Sequence, residues 1–339
     1  MMDDWRRPTA IAAAVGLGLW LATRCLAASF LWEQVSVQSR PPARSWHAMA
    51  YDGVHETILV FGGGSNGTVL DDTWLWNGSA WDEAAAPSDF ERAYAPSARY
   101  GAAMTYDPAR QVVVLFGGRD ANGTVFNDTY EWNGTRWART NQLGRRPVPR
   151  WGHGLAYVGG KGVVVFGGSD ASNRLLDDTW VWNGFQWTPI AGDGPKPAAR
   201  MGHGLAWDGG RNKTVLFGGV GSGPLGDTWE LDGTRWVERC TEAPCNGKMP
   251  PRRVAPTLVY DPQRAGVLLF GGSGAKDLGD TWIWDGTGWT DARPSASPPA
   301  RQRSAAAWDG ARGRLILFGG RAGKAELNDT WAPGVAAGR

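Results

Sequence analysis

Six arginines, Arg44, Arg99, Arg150, Arg200, Arg253 and Arg301, each precede a stretch of small and apolar residues. They recur about every fifty residues. A guanidinium is a planar fork of donors suited to carboxylates. Six of them around one opening would make a receptor for acidic groups. A residue present in every copy of a repeat also serves the copy itself, by bonding loop carbonyls or a nearby aspartate, and both uses stay open from the residues alone. Arg119, Asp120, Asp170, Asn173, Lys276 and Arg321 stand in the intervening loops with no periodicity to explain them, so they carry more functional weight.

His47, His153 and His203 share the position three after the arginine, where the other copies hold Ala102, Pro256 and Ser304. Imidazole is a metal ligand, but these three come from the first, third and fourth copies. A slot tolerant of small residues describes them better, and neither a metal nor another cofactor is expected. Acid–base catalysis would need two carboxylates to meet, with Asp120, Asp170 and Glu91 as candidates. No glycine-rich phosphate loop, nucleophile elbow or zinc motif is visible. Binding is therefore expected ahead of catalysis.

The elements that must position these residues are stated by repetition. Phe-Gly-Gly stands at Phe61, Phe116, Phe166, Phe217, Phe270 and Phe318, each after a β-branched or aliphatic run. Asp-Thr-Trp, once Asp-Thr-Tyr, follows from Asp72, Asp128, Asp178, Asp227, Asp280 and Asp329. In the third copy, a strand after Arg150, a glycine turn, a buried strand ending at Phe166, an alternating strand at Thr179 to Trp182, an Asn-Gly turn and a strand carrying Trp187 follow in order. Four short antiparallel strands make a sheet apolar on both faces, which is stable only when stacked radially and closed. Small residues in the first strands suit the crowded axis, and Trp74, Trp180, Trp229, Trp282 and Trp331, with Trp81, Trp137, Trp187, Trp236 and Trp289, suit the widening gaps farther out. The Asp of each Asp-Thr-Trp reads as a turn or strand-end hydrogen-bond acceptor.

Gly-Gly ending a β-branched strand, an aromatic pair before a turn and a downstream Trp resemble kelch repeats, which build β-propellers. The resemblance implies an all-β, six-bladed propeller over residues 30–333, each blade a four-stranded antiparallel sheet. Outer strands marked by Trp81, Trp137, Trp187, Trp236 and Trp289 number one too few. Trp32 precedes Arg44 by the same distance as Trp289 precedes Arg301, so residues 31–37 are expected to complete the last blade. The resemblance also implies arginines that contact acidic ligands near the start of the first strands. The Arg44, Arg99, Arg150, Arg200, Arg253 and Arg301 slot, with Arg119, Asp120, Asp170 and Arg321, is the expected ligand rim. Galactose oxidase contains such a propeller, but this chain has no Cys near a first-strand Tyr to build its copper site. Some exported bacterial kelch propellers act on sugars, including a sialic acid mutarotase. A carbohydrate-active enzyme of the mutarotase or lyase kind, using rim Arg and carboxylates, is the alternative to a module that binds a protein segment or glycan.

The remaining inferences are compositional. A net charge of +2 gives no reason to expect nucleic acid or an anionic membrane as partner. Arg6-Arg7, an uncharged run from Pro8 to Thr23 and Ala27-Ala28-Ser29 follow the order of a secretory signal. Residues 1–28 are read as a signal peptide or N-terminal anchor, the only expected membrane contact if uncleaved. The protein is expected to be exported, whether secreted, periplasmic or at the cell surface, and monomeric. Beyond Cys25 in that segment only Cys240 and Cys245 remain, five apart: a disulfide in an exported chain, or two free thiols. Residues 334–339 are expected to be a disordered tail.

Overall fold

The computed structural model describes residues 31–190, 194–240 and 248–334. Residues 1–30, Cys245 and residues 335–339 lie outside the described residues, and with them the expected signal, half of the expected cysteine pair and nearly all of the expected tail. Six four-stranded antiparallel sheets stand around a common axis. The first runs through Ala48–Asp52, Thr57–Ser65, Thr68–Trp76 and Trp81–Glu83. The second holds Ala103–Asp107, Val112–Phe116, Thr129–Trp132 and Trp137–Arg139, and the third Gly154–Val158, Gly162–Phe166, Thr179–Trp182 and Trp187–Pro189. The fourth holds Gly204–Asp208, Lys213–Phe217, Thr228–Leu231 and Trp236–Cys240, and the fifth Thr257–Asp261, Gly266–Phe270, Thr281–Trp284 and Trp289–Asp291. Each innermost strand packs against that of the next blade, and Ala305–Asp309 of the sixth blade returns to Ala48–Asp52 of the first.

The sixth blade is assembled from both ends of the described chain. Ala305–Asp309, Arg314–Phe318 and Thr330–Gly334 are followed in space by Leu31–Val35, which runs antiparallel to Thr330–Gly334. Trp32 lies opposite Pro333 and Gln34 opposite Trp331. The N-terminal strand thus closes the ring as its Trp spacing implies, although it ends at Val35 rather than residue 37.

The outer tryptophans explain why closure is specific. In every blade the Nε1–H of the outer-strand Trp donates to the Thr hydroxyl of the preceding blade's Asp-Thr-Trp or Asp-Thr-Tyr, at 2.9–3.1 Å. The donors are Trp81, Trp137, Trp187, Trp236, Trp289 and Trp32, and Trp32 reaches Thr281 of the fifth blade. A buried indole N–H needs such a partner. The same rings fill the gaps between sheets: all six are buried, with Trp32 and Trp81 almost inaccessible. Between them lie the second strands, whose Val, Leu, Ile and Phe side chains form the core.

Trp32→Ala removes the closure ring and its buried bond at once. We expect a loss of about 3–5 kcal/mol in urea unfolding. A Trp32→Ala chain that unfolds within 1 kcal/mol of the parent, on the order of a surface substitution, would show that closure does not depend on this side chain.

Candidate functional site

The six repeated arginines lie four residues before the first strands rather than at their starts, and they face inward. Arg44, Arg99, Arg150, Arg200, Arg253 and Arg301 are all 0–1% exposed. Each forks onto both oxygens of its own blade's aspartate, pairing in order with Asp72, Asp128, Asp178, Asp227, Asp280 and Asp329, at 2.5–3.3 Å. One Nη also donates to the carbonyl of the first glycine after Phe, at 2.9–3.1 Å. Nε donates to the carbonyl two residues back, at 2.9–3.1 Å. A guanidinium bonded in this way and closed off from solvent is not presented to a ligand. The expectation that this slot lines the receptor is therefore corrected, and its alternative, pairing with the repeat's aspartate, is what the fold uses.

The main chain at the same position joins neighbouring blades. The second glycine of every Gly-Gly donates its N–H to the next blade's arginine carbonyl, at 2.8–2.9 Å. The first glycine has a left-handed φ, and a Cβ on Gly117 would lie 2.6 Å from the Arg150 carbonyl oxygen, so no side chain fits. Indole N–H donors add to the carboxylates, Trp180 on Asp178 and Trp229 on Asp227 among them. Burial pushes the Asp178, Asp227, Asp280 and Asp329 carboxyls up, but the hydrogen bonds and charge of their arginines outweigh it and hold them below the usual range.

The histidines are likewise internal. His47, His153 and His203 lie edge-on to Phe318, Phe116 and Phe166 of the preceding blades, each pair at 5.4 Å. Burial, then the adjacent arginine, pushes His47 and His203 down to about 3 and His153 well below its ordinary value. Among the described residues no three His, Cys, Asp or Glu side chains are grouped to hold a metal.

What remains for a ligand lies at the end of the ring where the second strands finish. Between each arginine and its first strand, one residue donates its N–H to the corresponding residue of a neighbouring blade. Trp46 donates to Arg303, Arg303 to Ala255, Ala255 to Gly202, Gly202 to Gly152, Gly152 to Gly101 and Gly101 back to Trp46, at 2.6–3.2 Å. This closed backbone ring encircles the axis, and all six residues have φ of 51–64°. Above it, Trp46, Tyr100 and Trp151 form an edge-to-face aromatic cluster with centroids 5.7–5.9 Å apart. The Arg303 guanidinium stands 5.2 Å over the Trp46 ring and that of Arg119 5.6 Å over Trp151.

Arg119 and Asp120 also line a cleft of about 450 Å³, with Trp46, Tyr100, Glu326 and the hairpin at Gly64–Val69. That hairpin is the extended tip of the first blade, where the second and third strands continue past the Gly-Gly. Buried Nε atoms of Arg119, Arg303 and Arg321 and the Nε1 of Trp151 have no hydrogen-bond partner among the described residues. Burial and then the Arg321 charge lower the pKa of Arg303, the mark of two cations held together.

The carboxylates proposed from sequence are each engaged within their own loops. Asp120 accepts from the Thr124 N–H, Asp170 from Ser172, Arg174 and the Arg174 guanidinium, and Glu91 from Ser88 in a helix-capping turn. Asn173 is a left-handed turn residue of the Asp170 loop, and Lys276 is exposed. Cys240 is buried and disulfide-bonded. Tyr100, Arg303 and Glu326 were missed by motif. The signal for Arg303, as for Trp46, is a departure from Gly two positions after the repeated arginine, at a slot that Gly101, Gly152 and Gly202 occupy.

A family model described as the KLHDC2/KLHL20/DRC7 Kelch-repeats domain matches residues 91–238. The solved structure of YjhT aligns with TM-score 0.65 over 87% of this chain and 95% of that one, at 17% identity, a likeness of fold. Residues 91–238 of this six-bladed propeller are thus kelch repeats. Host cell factor 1 of Homo sapiens is 33% identical to it over 138 residues, 38% of this chain and 6% of that protein. The flagellar outer arm dynein alpha chain of Chlamydomonas reinhardtii is 31% identical over 137 residues, 37% of this chain and 3% of that protein. The kelch propeller thus spans a small part of the curated relatives it matches.

Two outcomes follow from the buried charges. Arg200→Ala, which strands Asp227, is expected to cost about 3–5 kcal/mol, whereas Arg119→Ala stays within about 1 kcal/mol. Equal losses in denaturant unfolding would refute the division between strut and rim. For the histidines, the unfolded chain binds protons below its ordinary 6.5 while folded His47 and His203 do not until about 3. Their contribution is complete above that ordinary value and declines as pH falls through this window, by about 1.4 kcal/mol per pH unit for each histidine. The triple variant His47→Ala/His153→Ala/His203→Ala should flatten the stability-versus-pH curve across it, and an unchanged slope would exclude these groups.

Proposed function

We propose that this kelch propeller is a binding module that captures an acidic segment of a partner protein at the rim formed by Trp46, Tyr100, Arg119, Trp151, Arg303 and Arg321. The observation that carries the reading is the contrast in donor use. Each of the six repeated guanidinium groups is committed within its blade, whereas Arg119, Arg303 and Arg321 each keep a buried Nε without a partner among the described residues, and Arg119 lines the cleft of about 450 Å³. An unpaired buried donor costs stability, and a carboxylate arriving from outside would offset that cost with charge-assisted bonds. A glycan is the second ligand class, favoured by the partly exposed Trp46 ring over the axis. The module is placed outside the cytoplasm, a reading supported by the Arg6-to-Ser29 sequence order and by the disulfide at Cys240.

Fluorescence anisotropy with a labelled Asp/Glu-rich decapeptide tests the reading. Arg119→Gln with Arg321→Gln should weaken binding about tenfold or more, with the thermal midpoint shifted by only a few degrees. Binding unaffected by the double substitution would overturn the rim assignment.

A further inference from the structure

The closed backbone ring turns the rim into a cup with a floor. Six consecutive N–H···O bonds circle the axis. The Trp46 indole lies across it: its Cη2 comes within 3.5 Å of where a Cβ on Gly202 would lie, in the blade opposite. The ring conformation is left-handed at every position, which glycine adopts freely and a bulky residue does not. Trp46 and Arg303, adjacent in the ring, are the two large side chains held in that strained conformation, with φ of 57° and 59°. Strain retained where glycine serves in three other blades points to use.

The walls of the cup divide by chemistry. Trp151 overlies Gly101, Met201 overlies Gly152 and Val254 overlies Gly202, each within 2.8–3.2 Å of where a glycine Cβ would be. With Tyr100 they form an apolar crescent of partly exposed side chains around Trp46. Arg303 and Arg321 stand on the other side, each with a buried Nε that has no partner among the described residues. The carboxylates nearby are Asp277, occupied by Gln302 and the Gly323 N–H, and Glu326, which lines the cleft and would oppose an anion.

We propose that the cup receives a small amphiphilic anion, with an apolar group of about one aromatic ring against Trp46 and Trp151 and an attached carboxylate turned to Arg303 and Arg321. This rests on the rim reading above and narrows it. The bound segment enters tip-first, and its acidic group sits beside an apolar one. The same chemistry is offered by a Phe-Asp pair on a partner loop and by a free aryl carboxylic acid.

Isothermal titration of the full chain separates these cases, using 3-phenylpropanoate, its uncharged amide, acetate, and the blocked peptides Gly-Phe-Asp-Gly and Gly-Gly-Asp-Gly. Saturable binding of the phenyl anions is expected, with the amide, acetate and Gly-Gly-Asp-Gly weaker by about tenfold or more. Trp46→Gly and Arg303→Gly, both compatible with the left-handed backbone, should each lose about tenfold, and Glu326→Gln should tighten binding. Tighter binding of the Phe-Asp peptide than of the free acid assigns the source to a partner protein, and the reverse assigns it to a small acid. If Gly-Gly-Asp-Gly binds as well as Gly-Phe-Asp-Gly and only Arg303→Gly weakens it, the rim reading stands and the amphiphilic ligand is wrong. If no acidic probe binds, both fall.

Discussion

The propeller depends on one buried ion pair used six times. An arginine without solvent access is tolerable only when its charge and donors are matched. Here the repeat's aspartate takes the fork, a glycine carbonyl takes the inner Nη and a local carbonyl takes Nε. This explains why the repeat is written as it is. The Asp must lie at the start of the third strand to meet the fork, and the chain after Phe must turn sharply enough to present a carbonyl. The next blade's arginine backbone must also come close enough to bond the second glycine, which leaves no space for a Cβ on the first. Arginine, Gly-Gly and Asp-Thr-Trp are one interaction spread over about thirty residues.

Such a pair offers little net stabilisation over a well-packed apolar core, but it fixes geometry. Its side chain ties the second and third strands of its own blade, while its main chain ties the preceding one. The outer Trp–Thr bonds repeat that link at the circumference. Inner and outer seams therefore set the same blade-to-blade angle, and closure at six follows when Trp32 meets Thr281. Using the N-terminal strand for this purpose protects the last sheet's exposed edge and holds both ends of the described chain in one sheet.

Nearly all of this architecture was legible in the sequence. The Phe-Gly-Gly and Asp-Thr-Trp periods mark the second and third strands, and the Trp32-to-Arg44 spacing identifies the closing strand. The direction of the arginine side chains was not legible, because the same residue at the same period suits a solvent-facing receptor and a buried strut. Only the placement of Asp72 and its equivalents opposite the fork decides it. The short segment from each arginine to its first strand also escaped sequence reasoning. Its left-handed residue is obvious where it is Gly101, Gly152 or Gly202, but Trp46 and Arg303 look like ordinary strand residues until the backbone is seen.

Repetition itself separates structure from function in this molecule. Where all six blades carry the same group, the fold consumes it: the arginines, the Thr hydroxyls and the outer indoles each find an internal partner. Where the blades differ at equivalent positions, as at Trp46 and Arg303 in the axial ring or Arg119 and Arg321 after Gly-Gly, polar atoms are left unmatched or backbone strain is retained. These four departures collect at one end of the axis, on the first, second and sixth blades. A sixfold scaffold cannot by itself produce an entrance that is apolar on one side and cationic on the other. The asymmetry must be written into the few residues that the strut lattice leaves free, and it is there that the proposed ligand would be read.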